Sequence, residues 1–430
     1  MACASRGLDA RVDAVVVKRV LMIAYHFPPL HGSSGIQRTL KFSQYLPDFG
    51  WQPIVLTADP RAYSSVSQDQ MRELSGGLLI ERAFALDTAK HLAWRGAYPR
   101  LLALPDRWVS WWLGAVPAGL RLIRKHRPQI IWSTYPIATA HLVAATLHLF
   151  TGIPWVADFR DPMTDKAYPE NLTQRRVYRR IERHAVRNCV RAVCTTPGTV
   201  RMYESRFPEV PASRFSLICN GYDEENFAFA GNLEKSKPRG SQTVLLHSGV
   251  LYPSERDPKP FFAALSELLR SAAITPDKLK IVLRATGYDA YLTKLVDEFA
   301  IAKLIELAPA VGYHTALSEM LSADALIVLQ ASNCNHQIPA KLYEYFRAQR
   351  PILALTDPAG DTAATVNDAG GGVVVPLDSK QAILRELPRF LQMVREGKAP
   401  IATREKVVQY SRRARTEELG KLFDRCLNRG

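Results

Sequence analysis

KRVLMIAYHFPPLHGSSGIQRTLKFSQYLPDFGWQPIVLTA, residues 18–58, contains the repeating unit from which the chain is built. KRVLMIAY (18–25) is an apolar run of strand length, followed by a Pro/Gly/Ser loop. An amphipathic helix is predicted from about Gln37 to Phe49, and WQPIVLTA (51–58) reads as a second apolar strand. Near-continuous apolar strands joined through a helix are the unit of a parallel sheet covered on both faces.

The same alternation runs on. PQIIWSTY (128–135) and IPWVADF (153–159) are strands around the helical ATAHLVAATLHLF, and a basic helix over 172–188 leads into the strand VRAVCTT (190–196). Residues 228–241 are polar and rich in Gly, Ser, Lys and Pro, the composition of an interdomain linker. A second alternation starts at TVLLHSG (243–249) and continues through KIVLRATG, LIELAPA, DALIVLQ, PILAL and GGVVVPL, with helices between and after. A chain of 430 residues exceeds what one hydrophobic core usually supports. The expected architecture is therefore α/β, with two doubly wound domains over 18–227 and 242–405. A flexible N-terminus (1–17), a linker (228–241) and a C-terminal helix (406–430) packing back on the first domain complete the chain. Ligands of such sheets bind beyond the carboxyl ends of the strands, so the site belongs in the cleft between the two domains.

Composition narrows the function classes. The six cysteines form no Cys-x-x-Cys and no Cys/His cluster, which reads as reduced thiols rather than a disulfide framework or a zinc site. The N-terminal residues lack the uninterrupted apolar core of a signal peptide, and IATAHLVAATLHLF falls short of the roughly 20 residues that a span needs. The expectation is a cytoplasmic protein, soluble or peripheral at the inner face of the plasma membrane. A net charge of +15 suits a polyanion. No nucleic-acid module accompanies it, leaving phosphorylated ligands or an anionic membrane surface.

Charged and glycine-rich strand ends supply the candidate site. Gly32 and Gly35 are three apart in YHFPPLHGSSGIQR, matching neither a dinucleotide fingerprint nor a Walker loop. The loop either exposes N–H groups to a phosphate or needs glycine for its backbone. In VADFRDPM the strand runs straight into Asp158, Arg160 and Asp161, which form either a structural ion pair or a polar cluster on the cleft. The helix TQRRVYRRIERHAVR carries Arg175, Arg179, Arg183 and Arg187 at i, i+4 spacing, with Arg176 and Arg180 beside them. It is either a solvated face or attracted to anionic lipid. In IPAKLYEYFRAQRPILAL (338–355), a helix is expected to open at Pro339. Lys341 then stands at the cation-disfavouring end of that helix, with Glu344 a turn on. The pair is either an i, i+3 ion pair, or a cation for a diphosphate and a carboxylate for a ribose diol.

Taken in order, the FPP…G-S-S-G…R opening (27–38), IPWVADFRDP (153–162), ICNGYDEENF (218–227), HSGVLYPSERDP (247–258) and IPAKLYEYFRAQRPILA (338–354) resemble a bacterial glycosyltransferase of the family 4 type over roughly residues 18–420. The resemblance implies the GT-B fold, two Rossmann-like domains facing across a cleft. It implies retaining, metal- and cofactor-independent transfer from a UDP-, GDP- or ADP-linked sugar to a glycan or lipid-linked acceptor, in cell-surface polysaccharide or glycoconjugate synthesis. It assigns Gly32, Gly35, Arg256, Lys341 and Glu344 to the donor, Asp158 and Arg38 to the acceptor side, and Arg160, Asp161 and His336 to catalysis. This chain departs from the family pattern at three of its positions. Glu344 closes the Glu-x7-Glu motif, but His336 stands where the first glutamate belongs. Val250 follows Gly249 where relatives often carry Arg, and Arg160 stands where many have His. Two rival readings are a nucleotide-sugar 2-epimerase of the same fold and a non-catalytic nucleotide-sugar-binding relative.

Overall fold

The computed structural model describes residues 17–31, 35–67, 69–74, 76–95, 97–165, 168–233 and 242–428. The chain forms two parallel sheets. The first joins β1 (Lys18–Ile23), β2 (Trp51–Ala58), β3 (Leu79–Ala83), β4 (Ile130–Thr134), β5 (Trp155–Arg160), β6 (Arg191–Cys194) and β7 (Phe215–Leu217) in the order β3-β2-β1-β4-β5-β6-β7. The second joins β8 (Thr243–Ser248), β9 (Leu279–Arg284), β10 (Ile305–Ala308), β11 (Ala325–Gln330), β12 (Ile352–Thr356) and β13 (Gly372–Val375) in the order β10-β9-β8-β11-β12-β13. Each order reverses once, between β1 and β4 and between β8 and β11, which are the switch points where such sheets bind ligands.

Helices fill the crossovers. In the first domain these are α1 (Gly35–Tyr45), α2 (Thr88–His91), α3 (Trp111–His126), α4 (Ala138–Thr151), α5 (Leu172–Asn188) and α6 (Pro197–Arg206). Then come α7 (Glu224–Leu233), α8 (Lys259–Arg270), α9 (Asp289–Glu298), α10 (Tyr313–Ser322), α11 (Lys341–Arg347), α12 (Asp361–Ala369), α13 (Lys380–Arg395), α14 (Arg404–Gln409) and α15 (Arg412–Leu427). The expected α1 differs at both ends. It begins at Gly35, and Pro47 turns its last residues into a separate 3-10 turn because a proline ring collides with the carbonyl four residues back. Residues 228–233 of the expected linker are helical, as the end of α7, and 234–241 lie outside the described residues. Pro339 precedes α11 rather than opening it, since Ala340 is the cap.

Period-2 alternation explains why the strands read as continuous apolar runs. Leu21 and Ile23 of β1 enter one core layer, while Val20 and Met22 enter the other. In β11, Ala325, Ile327 and Leu329 likewise face one layer, and Leu326 and Val328 the opposite one. A strand buried on both faces has no position for a polar side chain until it ends, so the polar residues collect at the carboxyl ends.

The C-terminus returns to the first domain. Leu419, Leu422 and Phe423 of α15 are buried with Leu46 and Trp51, and the Phe423 and Trp51 rings meet edge-on at 5.1 Å. Each such side chain contributes about 1.5–3 kcal/mol when fully buried. Asp424 accepts from Trp51 Nε1 at 3.0 Å and pairs with Lys18. On the way back, Tyr222 and Ser411 pair as a parallel bridge, with Arg412 N donating to Tyr222 O at 2.7 Å.

Candidate active site

On the first domain's side, α1 and β5 deliver two arginines with opposite fates. Arg38 donates from Nε and Nη2 to the two oxygens of Asp158 at 2.8 and 3.0 Å. It also donates to the carbonyls of Ile218 and Cys219, both at 3.0 Å. Thr134 Oγ1 gives Asp158 a further bond at 3.1 Å. Arg38 is 2% exposed and Asp158 not at all. These two residues, expected on the acceptor side, form a buried brace tying α1, β4, β5 and the segment after β7 together.

Arg160 sits two residues further along β5, past a register shift, with φ at +58°. It stays in the ladder, paired with Cys194 where Asp158 pairs with Val193. It is 8% exposed, yet its Nε has no hydrogen-bond partner among the described residues. Burial lowers its pKa, opposed mainly by the neighbouring Asp161, which is exposed. His26, in the loop after β1, is driven down to about 3 by burial and by the Arg160 charge, so its ring is neutral. Gly35 opens α1 and is buried, while Gly32 lies outside the described residues.

The second domain presents a denser cluster. Lys341, at the start of α11, points Nζ toward His247 Nε2 at 3.2 Å. His247, the penultimate residue of β8, uses Nδ1 to donate to Ile327 O at 2.9 Å. Burial and the Lys341 charge push its pKa well down, leaving Nε2 free to accept. Gly249 has φ at +115°, where an L side chain is strained, and a Cβ there would stand 2.7 Å from Lys341 Nζ and displace the lysine's flexible end. Lys341 is itself held well below its ordinary pKa by burial and by Arg256, against the pull of Glu344. Arg256 turns back on its loop, donating to Val250 O at 2.7 Å and lying over the Tyr252 ring. Glu344 accepts from Tyr313 OH at 2.7 Å, and burial raises its pKa despite that bond and the nearby Arg412. Lys341 and Glu344 are thus both pushed toward their neutral forms. Arg284, by contrast, is committed to Glu319.

The two sides meet at His336. Its carbonyl accepts from Thr196 Oγ1 at 2.6 Å and Thr199 Oγ1 at 3.3 Å, across the cleft. Its Nε2 lies 3.7 Å from Asp165 Oδ2, too far for a hydrogen bond. Asp361 reinforces the contact by accepting from Gly198 N and from Arg201 Nη2. The structure therefore brings Lys341, Glu344 and Arg256 to one side, Arg160 and Asp161 to the other, and His336 to the seam.

Sequence reasoning missed His247, Tyr313, Asp165, Asp361 and Arg412. His247 left a signal, as a polar residue near the end of an apolar strand, two residues before a glycine. Arg412 left none, because only the return of the C-terminus brings it near Glu344. Among the described residues no group of three or more His, Cys, Asp or Glu is placed to hold a metal ion, and no helix is long and apolar enough to cross a membrane.

Residues 35–226 match the model of Glycosyltransferase Family 4. No curated protein sequence matches the chain. Among solved structures, sucrose-phosphate synthase from Thermosynechococcus elongatus superposes with a TM-score of 0.68 at 15% identity, covering 96% of this chain and all of that one. Anabaena HepE in complex with UDP and glucose does so at 0.65 and 12%, covering 95% and 99%. A putative UDP-N-acetylglucosamine 2-epimerase from Listeria monocytogenes gives 0.56 at 11%, covering 94% of each chain. The two-sheet fold is the one these proteins share.

Proposed function

Taking the chain as a GT-B glycosyltransferase of the family 4 type, with that family's match over its first domain, we propose that it moves a sugar from a nucleotide-sugar donor to a glycan or lipid-linked acceptor, with retention and without a metal ion. The observation that carries the donor assignment is the Lys341–Glu344 cluster. Burial works against the charge of both groups, an arrangement that a bound anion and a bound diol relieve. A diphosphate between Lys341, Arg256 and the loop at Gly249 restores the lysine's proton and its charge-assisted bonds. A ribose diol donates to Glu344 beside the Tyr313 hydroxyl.

The chemistry then depends on the leaving group. As the sugar–phosphate bond lengthens, negative charge grows on the diphosphate, and fixed cations in a water-poor cleft stabilise it. Arg160, with an unpaired Nε and a neutral His26 beside it, faces the same space from the other domain. Asp161 and His336 complete that wall, and the Thr196–His336 contact joins the two domains beside it.

The Listeria fold neighbour and the His336–Asp165 pair support an epimerase as the second reading, because that reaction needs acid and base groups at the sugar. A panel of UDP-, GDP- and ADP-sugars separates the readings. Acceptor-dependent nucleotide release supports transfer, interconversion of sugars supports epimerisation, and silence across the panel points to a binding role. Calorimetric affinity for free nucleoside diphosphates that is unchanged in both Lys341→Ala and Glu344→Ala sinks the donor assignment.

A further inference from the structure

Three helices packed side by side on the first domain carry no exposed carboxylate. The sequences of α3 and α4 contain no acidic residue at all, and the one in α5, Glu182, is buried under Arg206, Tyr203 and Thr164. The arginines of α5 divide into two sets. Arg175 donates to Pro169 O and Arg187 pairs with Glu209. Arg176, Arg179, Arg180 and Arg183 are exposed and have no ion pair among the described residues. Their spacing puts them on one face of the helix.

Beside that stripe, the outer face of α4 is apolar where it should be polar. Leu149 and Phe150 are 78% and 68% exposed, and Leu113, at the start of α3, is 62% exposed. Trp112 ties α3 to this face by donating Nε1 to Thr146 Oγ1 at 3.0 Å. Between α4 and α5 runs a groove of about 290 Å³, floored by Leu142, Ala145, Trp155 and Ile181 and rimmed by Arg180 and His184. An apolar face this open usually marks an interaction surface. A row of unpaired cations along its edge restricts the partner to one that is apolar inside and anionic outside.

We propose that the α3–α4–α5 face docks on an anionic phospholipid bilayer, with Leu113, Leu149 and Phe150 entering the acyl boundary, the groove accepting one lipid chain, and Arg176, Arg179, Arg180 and Arg183 meeting phosphate headgroups. The charge complementarity and the absent carboxylates carry this assignment. Neither depends on what the cleft binds. A nucleic acid matches the arginines but leaves the leucines and the phenylalanine without a partner. A protein partner matches the apolar face only if it also brings a row of acids.

The test is flotation of the full chain with vesicles of phosphatidylcholine alone, and with roughly a third phosphatidylglycerol added, at low and high salt. The protein is expected to float with the anionic vesicles only, and less so at high salt. Replacing the four unpaired arginines by Ser lowers the partition on the order of a hundredfold, and Leu149→Ser with Phe150→Ser lowers it by about tenfold. Calorimetric binding of a nucleoside diphosphate stays at the parent level in both variants, which shows an intact fold and separates this surface from the cleft. Three results overturn the proposal: no flotation with anionic vesicles, flotation unchanged in both variants, or an RNA oligomer that binds more tightly than vesicles and ignores Leu149→Ser with Phe150→Ser.

Discussion

The two walls of the cleft look alike in sequence and differ in how their charges are satisfied. On the first, Asp158 receives Arg38 through a two-pronged contact plus Thr134, and Arg38 spends its remaining donors on two carbonyls. On the second, the hydrogen bonds among the described residues give Lys341 only a neutral imidazole and Glu344 only a tyrosine hydroxyl. A charge whose partners are all protein atoms is part of the scaffold. Under the proposed function, a charge left short of partners is one a ligand completes, and the fold bears the cost of keeping it there.

Breaking the first wall has the largest expected effect. Arg38→Met leaves the Asp158 carboxylate buried and unpaired, which costs about 3–5 kcal/mol. Urea unfolding should show the midpoint falling with the slope unchanged. A loss below about 1 kcal/mol places Arg38 outside the scaffold and erases the distinction between the two walls.

The second wall should respond in the opposite sense. Lys341→Met and Glu344→Gln each remove a group whose charged form burial disfavours, so the melting temperature holds or rises. Nucleoside diphosphate affinity falls about 10- to 100-fold in each, the range for a lost bond to a charged group. The calorimetry carries a second signal. Lys341 is held below its ordinary pKa in the free protein, chiefly by burial, and a diphosphate raises it again. Binding at alkaline pH should therefore take up a proton, seen as an enthalpy that varies with the buffer's ionisation enthalpy and vanishes in Lys341→Met.

The same contrast sets how much of the molecule is legible in its sequence. The strand–helix alternation and the two sheets could be read from residues 18–58 and 243–377, because strands buried on both faces leave long apolar runs. The polar residues that end those strands were legible as candidates too. Their roles were not, because whether Asp158 faces a ligand or Arg38 depends on a contact spanning 120 positions. The neighbourhood of Glu344 was hidden for the same reason, since Arg412 reaches it only after α15 has packed on Trp51. The spacing of the α5 arginines was plain, but which four are unpaired depended on Glu209 and Pro169.

Acid sharpens the comparison from the first wall's side. The folded-state pKa of His26 is lowered to about 3 by burial and by Arg160, so only the unfolded chain takes up its proton as pH falls below 6.5. Stability present at neutral pH is therefore lost in that window, by about 1.4 kcal/mol per pH unit. Unfolding free energies at pH 7.5 and 5.5 should converge for wild type and His26→Gln once that slope is removed. An identical pH dependence in both proteins means that His26 titrates alike in the folded and unfolded chain and that neither burial nor Arg160 acts on its ring.

The smallest effect on stability, and the sharpest comparison, is expected at Arg160. Both Arg38 and Arg160 are buried arginines at the same sheet edge, yet only one has carboxylate oxygens to bond. Arg160→Gly releases a left-handed backbone that costs an ordinary residue roughly 1–2 kcal/mol and removes a guanidinium with an unpaired Nε. Lost packing of the side-chain stem offsets that gain, so the net change in stability stays within about 1 kcal/mol. Sugar transfer or donor hydrolysis should nonetheless fall on the order of a hundredfold, the scale for removing one stabilising donor from a developing charge. A stability loss as large as that of Arg38→Met makes Arg160 a second scaffold arginine. It leaves the first domain with no unpaired cation at the cleft among the described residues, and charge stabilisation then falls to Lys341 and Arg256.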